Sequence, residues 1–326
     1  MLAGVEKKLQ GTQVPEAIET PFMPTKCAVS ENRSSIAVPA SLRALLTDLI
    51  DYAGLFPPAG LGMSEAVENY ARYLGGEHAW ILGRFVVPAN RLAEFAQAHS
   101  AMETQTPWRL SCLVGADTES DLSEIERFRG WARAQIVSIE TKAQISEEVR
   151  RFKARLPDPM TLYFEVPLNC SAELLITIRQ AGARAKIRVG GLTPEAIPSG
   201  ETVAGFLARC ASIRTPFKAT AGLHHPIRCL RPLTDQAAAP SAKMHGFLNV
   251  FLAAALAYHG ASAERLRATL ETEKAPQFAF ESQTSRCAEG ILSREQIQAA
   301  REQFAVSFGS CSFEEPIEDL RALQLL

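Results

Sequence analysis

The 326 residues are 47% hydrophobic and 21% charged with a formal net charge of -2, which suits one large globular domain with a substantial core. Because the charge is close to neutral, we expect neither nucleic acid nor an anionic membrane as a partner. The N-terminal sequence lacks the apolar segment of a signal peptide, and the seven cysteines include no C-x-x-C pair, so a soluble, cytoplasmic protein with reduced thiols is expected.

The chain begins with a segment that carries no periodic pattern. Residues 1–38 mix Thr, Pro, Glu, Ser and Asn, which predicts a poorly ordered N-terminal arm. Over residues 39–326 predicted strands and helices alternate, which favours a single α/β domain with the (β/α)8, or TIM-barrel, fold; a doubly wound open sheet is the alternative. The eight strands are predicted near residues 50–56, 79–89, 107–117, 134–143, 160–168, 183–191, 216–223 and 304–313.

A long connection, about residues 223–303, separates the seventh predicted strand from the eighth. Helices are predicted within it at about 241–259 and 261–273. Long connections of this kind serve as lids over a site or as contacts between subunits. We therefore expect a helical insertion that covers the site or joins the subunits of a homo-oligomer. Its most apolar helix, 247–258, is too short to span a bilayer.

Strands five to seven share a pattern in which apolar and polar residues alternate. Successive side chains of a strand point to opposite faces of the sheet, and the crossover helices cover the apolar face. The opposite face then carries Glu165, Lys186, Arg188, Lys218 and Thr220. In a barrel this face points inward, so the sequence predicts a polar interior.

Earlier strands add polar residues to this predicted interior, namely Arg84, Ser111, Ser138 and Glu140. A structural charge network, or an exterior position for these groups, is the alternative interpretation. Because an unpaired buried charge costs several kcal/mol, such a cluster is usually retained for a ligand. Positive charges outnumber negative ones in the set, which favours a small anionic metabolite with a carboxylate or phosphate group, and arginine can bind either group bidentately.

Lys186 and Lys218 lie on neighbouring predicted strands, roughly 4.8 Å apart if they are at equal height. Two ammonium groups this close would lower each other's proton affinity. A lysine with a lowered pKa is a nucleophile that forms a Schiff base with a carbonyl compound. Glu165, on the preceding strand, could pair with one lysine or transfer a proton as a general acid or base.

Two strand motifs, Lys186-Ile-Arg-Val-Gly190 and Lys218-Ala-Thr-Ala-Gly222, carry a likeness to a known family. With them the sequence resembles class I aldolase barrels of the deoxyribose-phosphate aldolase type. The resemblance covers two strands and implies that Lys186 forms the imine, that Lys218 tunes it and that no cofactor is needed. Arg188 and the pair His224-His225 have no counterpart in the family pattern. Residue chemistry alone does not choose between the two lysines.

Several residues at predicted strand ends are candidates for substrate binding. Backbone N–H groups at Gly190, Gly191 and Gly222 can approach an anion closely, which is compatible with a phosphorylated substrate. Ser310 and Ser312 follow the last strand and are candidates for anion contacts or helix caps. The remaining candidates are Asp51, Arg84, Glu140, Arg188 and Thr220.

The adjacent residues His224 and His225 follow the seventh strand, where a barrel places catalytic groups. Together with Glu165 they could form the two-histidine, one-carboxylate set that binds a divalent metal such as Zn²⁺, Fe²⁺ or Mg²⁺. Adjacent residues of an extended chain point apart, however, which disfavours joint ligation of one ion. A general acid or base role for one of the two is favoured.

Three further features lie near the predicted barrel mouth. Cys311 sits between the last strand and a helix N-terminus, a setting that activates thiols as nucleophiles, although a packed thiol is the alternative. Ser312-x-x-Glu315 matches a capping box that starts the last helix. His245 lies one helical turn before Asn249 and could contact substrate, or both could be core residues with satisfied hydrogen bonds.

Together these features predict a lyase of aldolase type that acts on a small anionic carbonyl compound through a lysine Schiff base. A divalent-metal enzyme using Glu165 with His224 or His225 is the first alternative. A non-catalytic barrel that binds a sugar acid or phosphate is the second. The sequence does not identify the substrate or the oligomeric state.

Overall fold

The structure is a computed structural model that describes residues 37–102, 107–156, 160–234 and 239–326. The predicted arm, 1–38, lies outside the described residues except for its last two positions. The strands are β1 (Ile50–Tyr52), β2 (Leu82–Pro88), β3 (Trp108–Leu113), β4 (Ala134–Lys142), β5 (Thr161–Glu165), β6 (Arg184–Arg188), β7 (Phe217–Thr220), β8 (Cys229–Pro232), β9 (Ser241–Met244), β10 (Ala279–Phe280), β11 (Thr284–Cys287), β12 (Gly290–Ser293) and β13 (Ala305–Ser310). The helices are α1 (Ala40–Leu46), α2 (Met63–Leu74), α3 (Leu92–Ser100), α4 (Thr118–Phe128), α5 (Ser146–Lys153), α6 (Ala172–Gln180), α7 (Gly200–Ile213), α8 (Phe247–Tyr258), α9 (Ala263–Glu271), α10 (Arg294–Gln303) and α11 (Glu314–Ala322).

Eight of the described strands form one closed parallel barrel in the order β1-β13-β7-β6-β5-β4-β3-β2. Helices alternate with them along the chain, so the predicted TIM-barrel fold is confirmed and the open-sheet alternative is wrong. All eight strands fall within the stretches predicted from the sequence. In the described part of the chain, no helix combines the length and apolarity that crossing a membrane requires.

The alternation along β5 to β7 has the predicted orientation. Phe164, Ile187 and Ala219 are fully buried in the apolar cluster between the sheet and its helices. Tyr163 faces the other way, and its ring centroid lies 5.2 Å from Lys218 Nζ. The parity of the strands therefore separates an apolar shell from a polar interior.

The connection between β7 and β13 contains α8 to α10 and also β8 to β12, which form two small antiparallel sheets. Helix α8 is buried along nearly its whole length and belongs to the helical shell. Its Phe247 and Phe251 contact Phe308 of β13 at ring-centroid distances of 5.4 and 5.9 Å. The segment is thus more than the helical insertion expected from the sequence. It contributes Leu233 and Met244 to the cavity wall described below, while its role as a lid or subunit contact stays a prediction.

Serine side chains define the beginnings of several helices. Ser171, Ser199 and Ser293 precede α6, α7 and α10, and each side chain accepts a hydrogen bond from the backbone N–H three residues later. Such a cap satisfies one of the amides that the first helical turn leaves unpaired, and each contributes about 1 kcal/mol.

The ends of β6 and β7 approach each other so closely that glycine is required on both. A Cβ atom added to Gly190 would lie 2.5 Å from the Cα atom of Gly222. Gly222 also has a φ of +73°, and the preceding Ala221 has a φ of +62°, a conformation that costs about 1 kcal/mol or more outside glycine. This contact fixes the loops that follow β6 and β7, the two strands that carry Lys186 and Lys218.

We expect Gly190→Ala to lower the free energy of unfolding by about 2 kcal/mol or more, because the new methyl group meets backbone rather than a movable side chain. Urea denaturation would measure the loss. Gly130→Ala is the matched control, since an added Cβ there meets nothing within 4 Å and the residue is exposed. Equal stability of the two variants would contradict this account of the loop contact.

Candidate active site

A cavity of about 280 Å³ opens at the C-terminal ends of the barrel strands. This is the end at which TIM-barrel enzymes carry their catalytic residues. Apolar residues from the first loop, among them Phe56 and Pro57, form part of its wall. The predicted site residues that line it are Glu140, Lys186, Arg188, Gly191, Lys218, Thr220, Gly222, His224 and Cys311.

Glu140 lies at the centre of a buried charge network on the cavity floor. Its Oε1 atom is 2.7 Å from Lys218 Nζ, and its Oε2 atom is 2.9 Å from Lys186 Nζ. Ser111 donates a hydrogen bond of 2.5 Å to Oε1, and Ser111 and Ser138 share a further bond of 2.7 Å. A single carboxylate therefore joins both lysines, which are register partners on β6 and β7.

Each lysine has a second carboxylate partner on its other side. Lys218 Nζ is 2.6 Å from Asp51 Oδ2, which also accepts a hydrogen bond from Ser307. Lys186 Nζ is 3.0 Å from Glu165 Oε2, and the other Glu165 oxygen is 3.9 Å from an Arg188 nitrogen. Two lysines alternate with three carboxylates, so the network is nearly balanced without any ligand.

The protonation of this network follows from its charge partners. Burial alone raises the pKa of Glu140, but the Lys186 and Lys218 ammonium groups outweigh burial and hold the pKa well below its ordinary value. Burial lowers the pKa of Lys218, yet Asp51 and Glu140 raise it above the ordinary lysine value. The sequence-based expectation that the lysines lower each other's proton affinity is therefore wrong for Lys218, because carboxylates separate the two amines.

His224, Cys311 and Glu315 form a second group at the cavity mouth. His224 Nε2 is 3.9 Å from Cys311 Sγ, and His224 Nδ1 is 2.9 Å from Glu315 Oε2. Burial lowers the pKa of His224, but its contact with Cys311 and its hydrogen bond with Glu315 prevail and raise the pKa to about 10. Cys311, His224 and Glu315 are therefore arranged as a nucleophile, a protonated acid–base group and an orienting carboxylate.

The neighbouring histidine has a different partner. His225 Nδ1 is 2.7 Å from Asp319 Oδ2 on α11, in a neighbouring pocket that Ser312 also lines. Over residues 37–102, 107–156, 160–234 and 239–326, no group of three or more His, Cys, Asp or Glu residues is arranged to hold a metal ion. Glu165, His224 and His225 are not grouped as ligands in this part of the chain, and the metal alternative stays a prediction.

Six predicted substrate contacts lie away from the cavity wall, and two of them, Asp51 in the buried network and Ser312 in the neighbouring pocket, are described above. Arg84 lines a second cavity at the opposite end of the barrel, because it precedes the wall residue Val86 by two positions on β2.

The other three are buried in the protein. His245 contacts the carbonyl oxygen of Pro198 at 2.8 Å and is buried behind the wall. Ser310 and Gly190 are buried where strands meet, and neither reaches the cavity. Asn249, predicted with His245, bonds to the carbonyls of residues 269 and 272 and is a satisfied core residue.

Sequence reasoning missed the site roles of Ser307, Glu315 and Asp319. Ser307 alternates with the outward Phe308 on β13, so strand parity already indicates its inward position. Ser312 Oγ does accept a hydrogen bond from the Glu315 amide, as the predicted capping box requires. The Glu315 side chain, however, binds His224 instead of returning to the helix start. Asp319 lies one helical turn after Glu315, and no motif in the sequence indicates its contact with His225.

Comparisons with family models, curated proteins and solved structures found no significant match to this chain. The likeness of the two lysine strands to class I aldolases therefore stays a prediction from sequence motifs. The residues and distances described above carry the functional interpretation.

We expect Glu140→Gln to lower the free energy of unfolding by about 3 kcal/mol, because it removes a buried charge that both lysines contact. Chemical denaturation at neutral pH would measure the loss. Glu165→Gln is the control and should cost clearly less, because Lys186 keeps Glu140 and Lys218 keeps both of its partners. A larger loss in the control would mean that Glu140 is not the central charge.

We expect the His224 contribution to stability to be lost as pH rises from about 6.5 towards 10. Since its pKa is raised on folding, the folded protein binds this proton more tightly, and the stabilisation is complete only below the unfolded value of 6.5. The free energy of unfolding should fall by up to about 1.4 kcal/mol per pH unit. His224→Gln should remove this slope when unfolding is measured across the range. His259→Gln, which alters an exposed ring on a backbone carbonyl, should leave it unchanged.

Proposed function

We propose that this protein is a lyase of aldolase type that forms an imine between Lys186 and a small anionic carbonyl compound. The cavity at the C-terminal ends of the barrel strands is called the upper cavity from here on. The supporting observation is the position of the Lys186 amine at the wall of this upper cavity, between Glu140 and Glu165. A cavity of about 280 Å³ is at the small end of the range for metabolite sites.

Lys186 is a better candidate for the nucleophile than Lys218. Lys218 is 1% exposed and lies between Asp51 and Glu140, whose charges raise its pKa and keep it protonated. Lys186 is 5% exposed, and Glu165, one of its two partners, has a side chain that is 14% exposed. A carbonyl compound in the cavity can therefore reach Lys186 with less rearrangement of the network.

The carboxylates around Lys186 provide the proton transfers that imine formation requires. Glu165 accepts a proton from the ammonium group, and the free amine adds to the carbonyl carbon. Loss of water, with the proton returned, gives the iminium ion. A base then removes the proton of the β-hydroxyl group, the Cα–Cβ bond breaks, and its electrons form an enamine. Protonation at Cα and hydrolysis release the second carbonyl product and restore the amine.

The anionic part of the substrate has a binding region beside this lysine. Arg188 follows Lys186 by two positions on β6 and lines the cavity with a half-exposed side chain. Gly191 and Gly222 lie next to it in the loops after β6 and β7, where backbone N–H groups can approach an oxyanion. Arg188 is the cation of this wall that is least engaged by carboxylates, at 3.9 Å from Glu165. It would pair with a carboxylate or phosphate group.

The motif resemblance agrees with this assignment. Strand pairing aligns Lys186 with Lys218 and Arg188 with Thr220. The two motifs that resemble class I aldolases therefore lie side by side, with their lysines at one height. In that family pattern the first lysine forms the imine and the second tunes it.

Thiol chemistry is a second candidate, favoured by the geometry at the cavity mouth. Cys311, His224 and Glu315 have the arrangement of a nucleophile with its acid–base and orienting groups, although the 3.9 Å separation of Sγ and Nε2 is long for a hydrogen bond. Such a group would attack the carbonyl carbon of an acyl substrate. In the lyase, His224 would instead act as a general acid. The metal enzyme and the non-catalytic binding barrel remain alternatives from the sequence.

Borohydride reduction in the presence of pyruvate or acetaldehyde should attach a stable adduct to the protein, and peptide mapping by mass spectrometry should place it on Lys186. Lys186→Ala should abolish the adduct, because the amine is the attacking group. Lys243→Ala is the matched control, since this lysine is exposed and paired with Glu273 outside the cavity.

Cys311→Ser separates the two candidate functions. Imine trapping should survive this substitution, whereas a thiol-dependent acyl transfer would be lost. A folded Lys186→Ala variant that still yields the adduct, or an adduct confined to other lysines, would refute the assignment of Lys186.

A further inference from the structure

A second cavity, of about 660 Å³, opens at the opposite end of the barrel, beside the N-terminal ends of β2, β3 and β13. It is more than twice the size of the upper cavity. Its wall is strongly basic: five cations against two anions leave an excess of three positive charges. The charged residues of the wall are Arg43, Arg84, Arg109, Arg294, Arg301, Asp48 and Glu302.

Arg301 is buried and Arg84 is half-buried, and neither has a carboxylate that no other cation contacts. Arg301 is 8% exposed and directs four N–H groups to the backbone carbonyls of residues 45, 47, 305 and 306, which carry no charge. Arg84 lies 3.3 Å from Asp51, but Lys218 already neutralises that carboxylate at 2.6 Å. The Arg84 Nε atom is also buried and has no hydrogen-bond partner. An unmatched buried donor of this kind is costly unless a ligand satisfies it.

The other three arginines are held in place around the opening. Arg109 pairs with Asp48 at 2.5 Å, and the Arg43 guanidinium lies 4.2 Å from the centroid of the Trp80 ring. The Trp80 contact orients Arg43 without neutralising it. Arg294 pairs with the exposed Glu295, an interaction that solvent weakens. The wall therefore presents guanidinium groups that are ordered but only partly compensated.

We propose that this lower cavity binds a small multivalent oxyanion of the phosphate type, with Arg43, Arg84 and Arg294 as its direct ligands. Planar guanidinium groups match the paired oxygens of phosphate and bind them bidentately. Arg301 lines the same cavity, and its charge adds attraction although its N–H groups are taken by backbone carbonyls. An excess of three positive charges favours a polyanion over a monoanion such as acetate.

The proposed site is separate from the upper cavity, with which it shares no wall residue. Asp51 lies between the two, because its Oδ1 atom contacts Arg84 and its Oδ2 atom contacts Lys218. An anion in the lower cavity would leave access to Lys186 open. The proposal therefore holds whether or not the upper cavity forms an imine.

Isothermal titration of the full chain with inorganic pyrophosphate at low salt tests the proposal, with acetate as the monoanion comparison. We expect saturable binding of pyrophosphate that persists in Arg188→Gln and is much tighter than that of acetate. Arg84→Gln should weaken it about tenfold, the loss of one charge-assisted contact. Because Arg84→Gln also disturbs Asp51, the double variant R43Q/R294Q provides a second test at less buried positions and should weaken binding at least as much.

Two further variants identify where the anion binds. Arg150→Gln changes an exposed helix arginine and should leave binding unchanged. Arg188→Gln removes the anion-binding arginine proposed for the upper cavity, so the pyrophosphate binding that persists in this variant is the binding assigned to the lower cavity. Loss of the signal in Arg188→Gln, undiminished binding in a folded R43Q/R294Q variant, or pyrophosphate binding no tighter than acetate binding would each overturn the proposal.

Discussion

The bridge that Glu140 forms between two lysines is the interaction on which the barrel interior depends. A closed barrel of eight short strands normally fills its centre with branched apolar side chains. Here one carboxylate contacts both Lys186 and Lys218, and two hydroxyl groups support it. Buried charges persist in such a place only when each has partners of opposite sign. Because carboxylates and lysines neutralise one another on the cavity floor, the network does not depend on a ligand in the cavity above it.

Asp51 extends this network through the length of the barrel. One oxygen of its fully buried carboxylate binds Lys218 beneath the upper cavity, and the other binds Arg84 beside the lower one. Burial raises the pKa of Asp51, but Lys218 and Arg84 prevail and lower it, so the carboxylate remains charged. The two ends of the molecule are thus joined by three charged residues in direct contact. A charge at one end of the barrel therefore affects the charged groups at the other end through the contacts of Asp51 with Lys218 and Arg84.

The fold and the inward residues could be predicted largely from the pattern along single strands. Strand parity places Glu165, Lys186 and Lys218 on one face, and all three lie in the interior network. The alternating pattern does not show at which end of the barrel a residue of a strand lies. Arg84 has the correct parity but sits too early on β2, so it faces the lower cavity. His245 has the expected spacing from Asn249, yet its ring is taken by the carbonyl of Pro198.

The sequence by itself determined which elements form and which side chains point inward, because both follow from periods of two and 3.6 residues within a short segment. Only the tertiary structure decided which charges meet. Glu140 separates two lysines that neighbouring strands bring together, and Glu315 reaches His224 across 91 positions of the chain. Such pairings depend on the register of strands and on the packing of the last helix. Since a pKa reflects these partners more than the residue itself, the protonation of the site could not be read from local sequence.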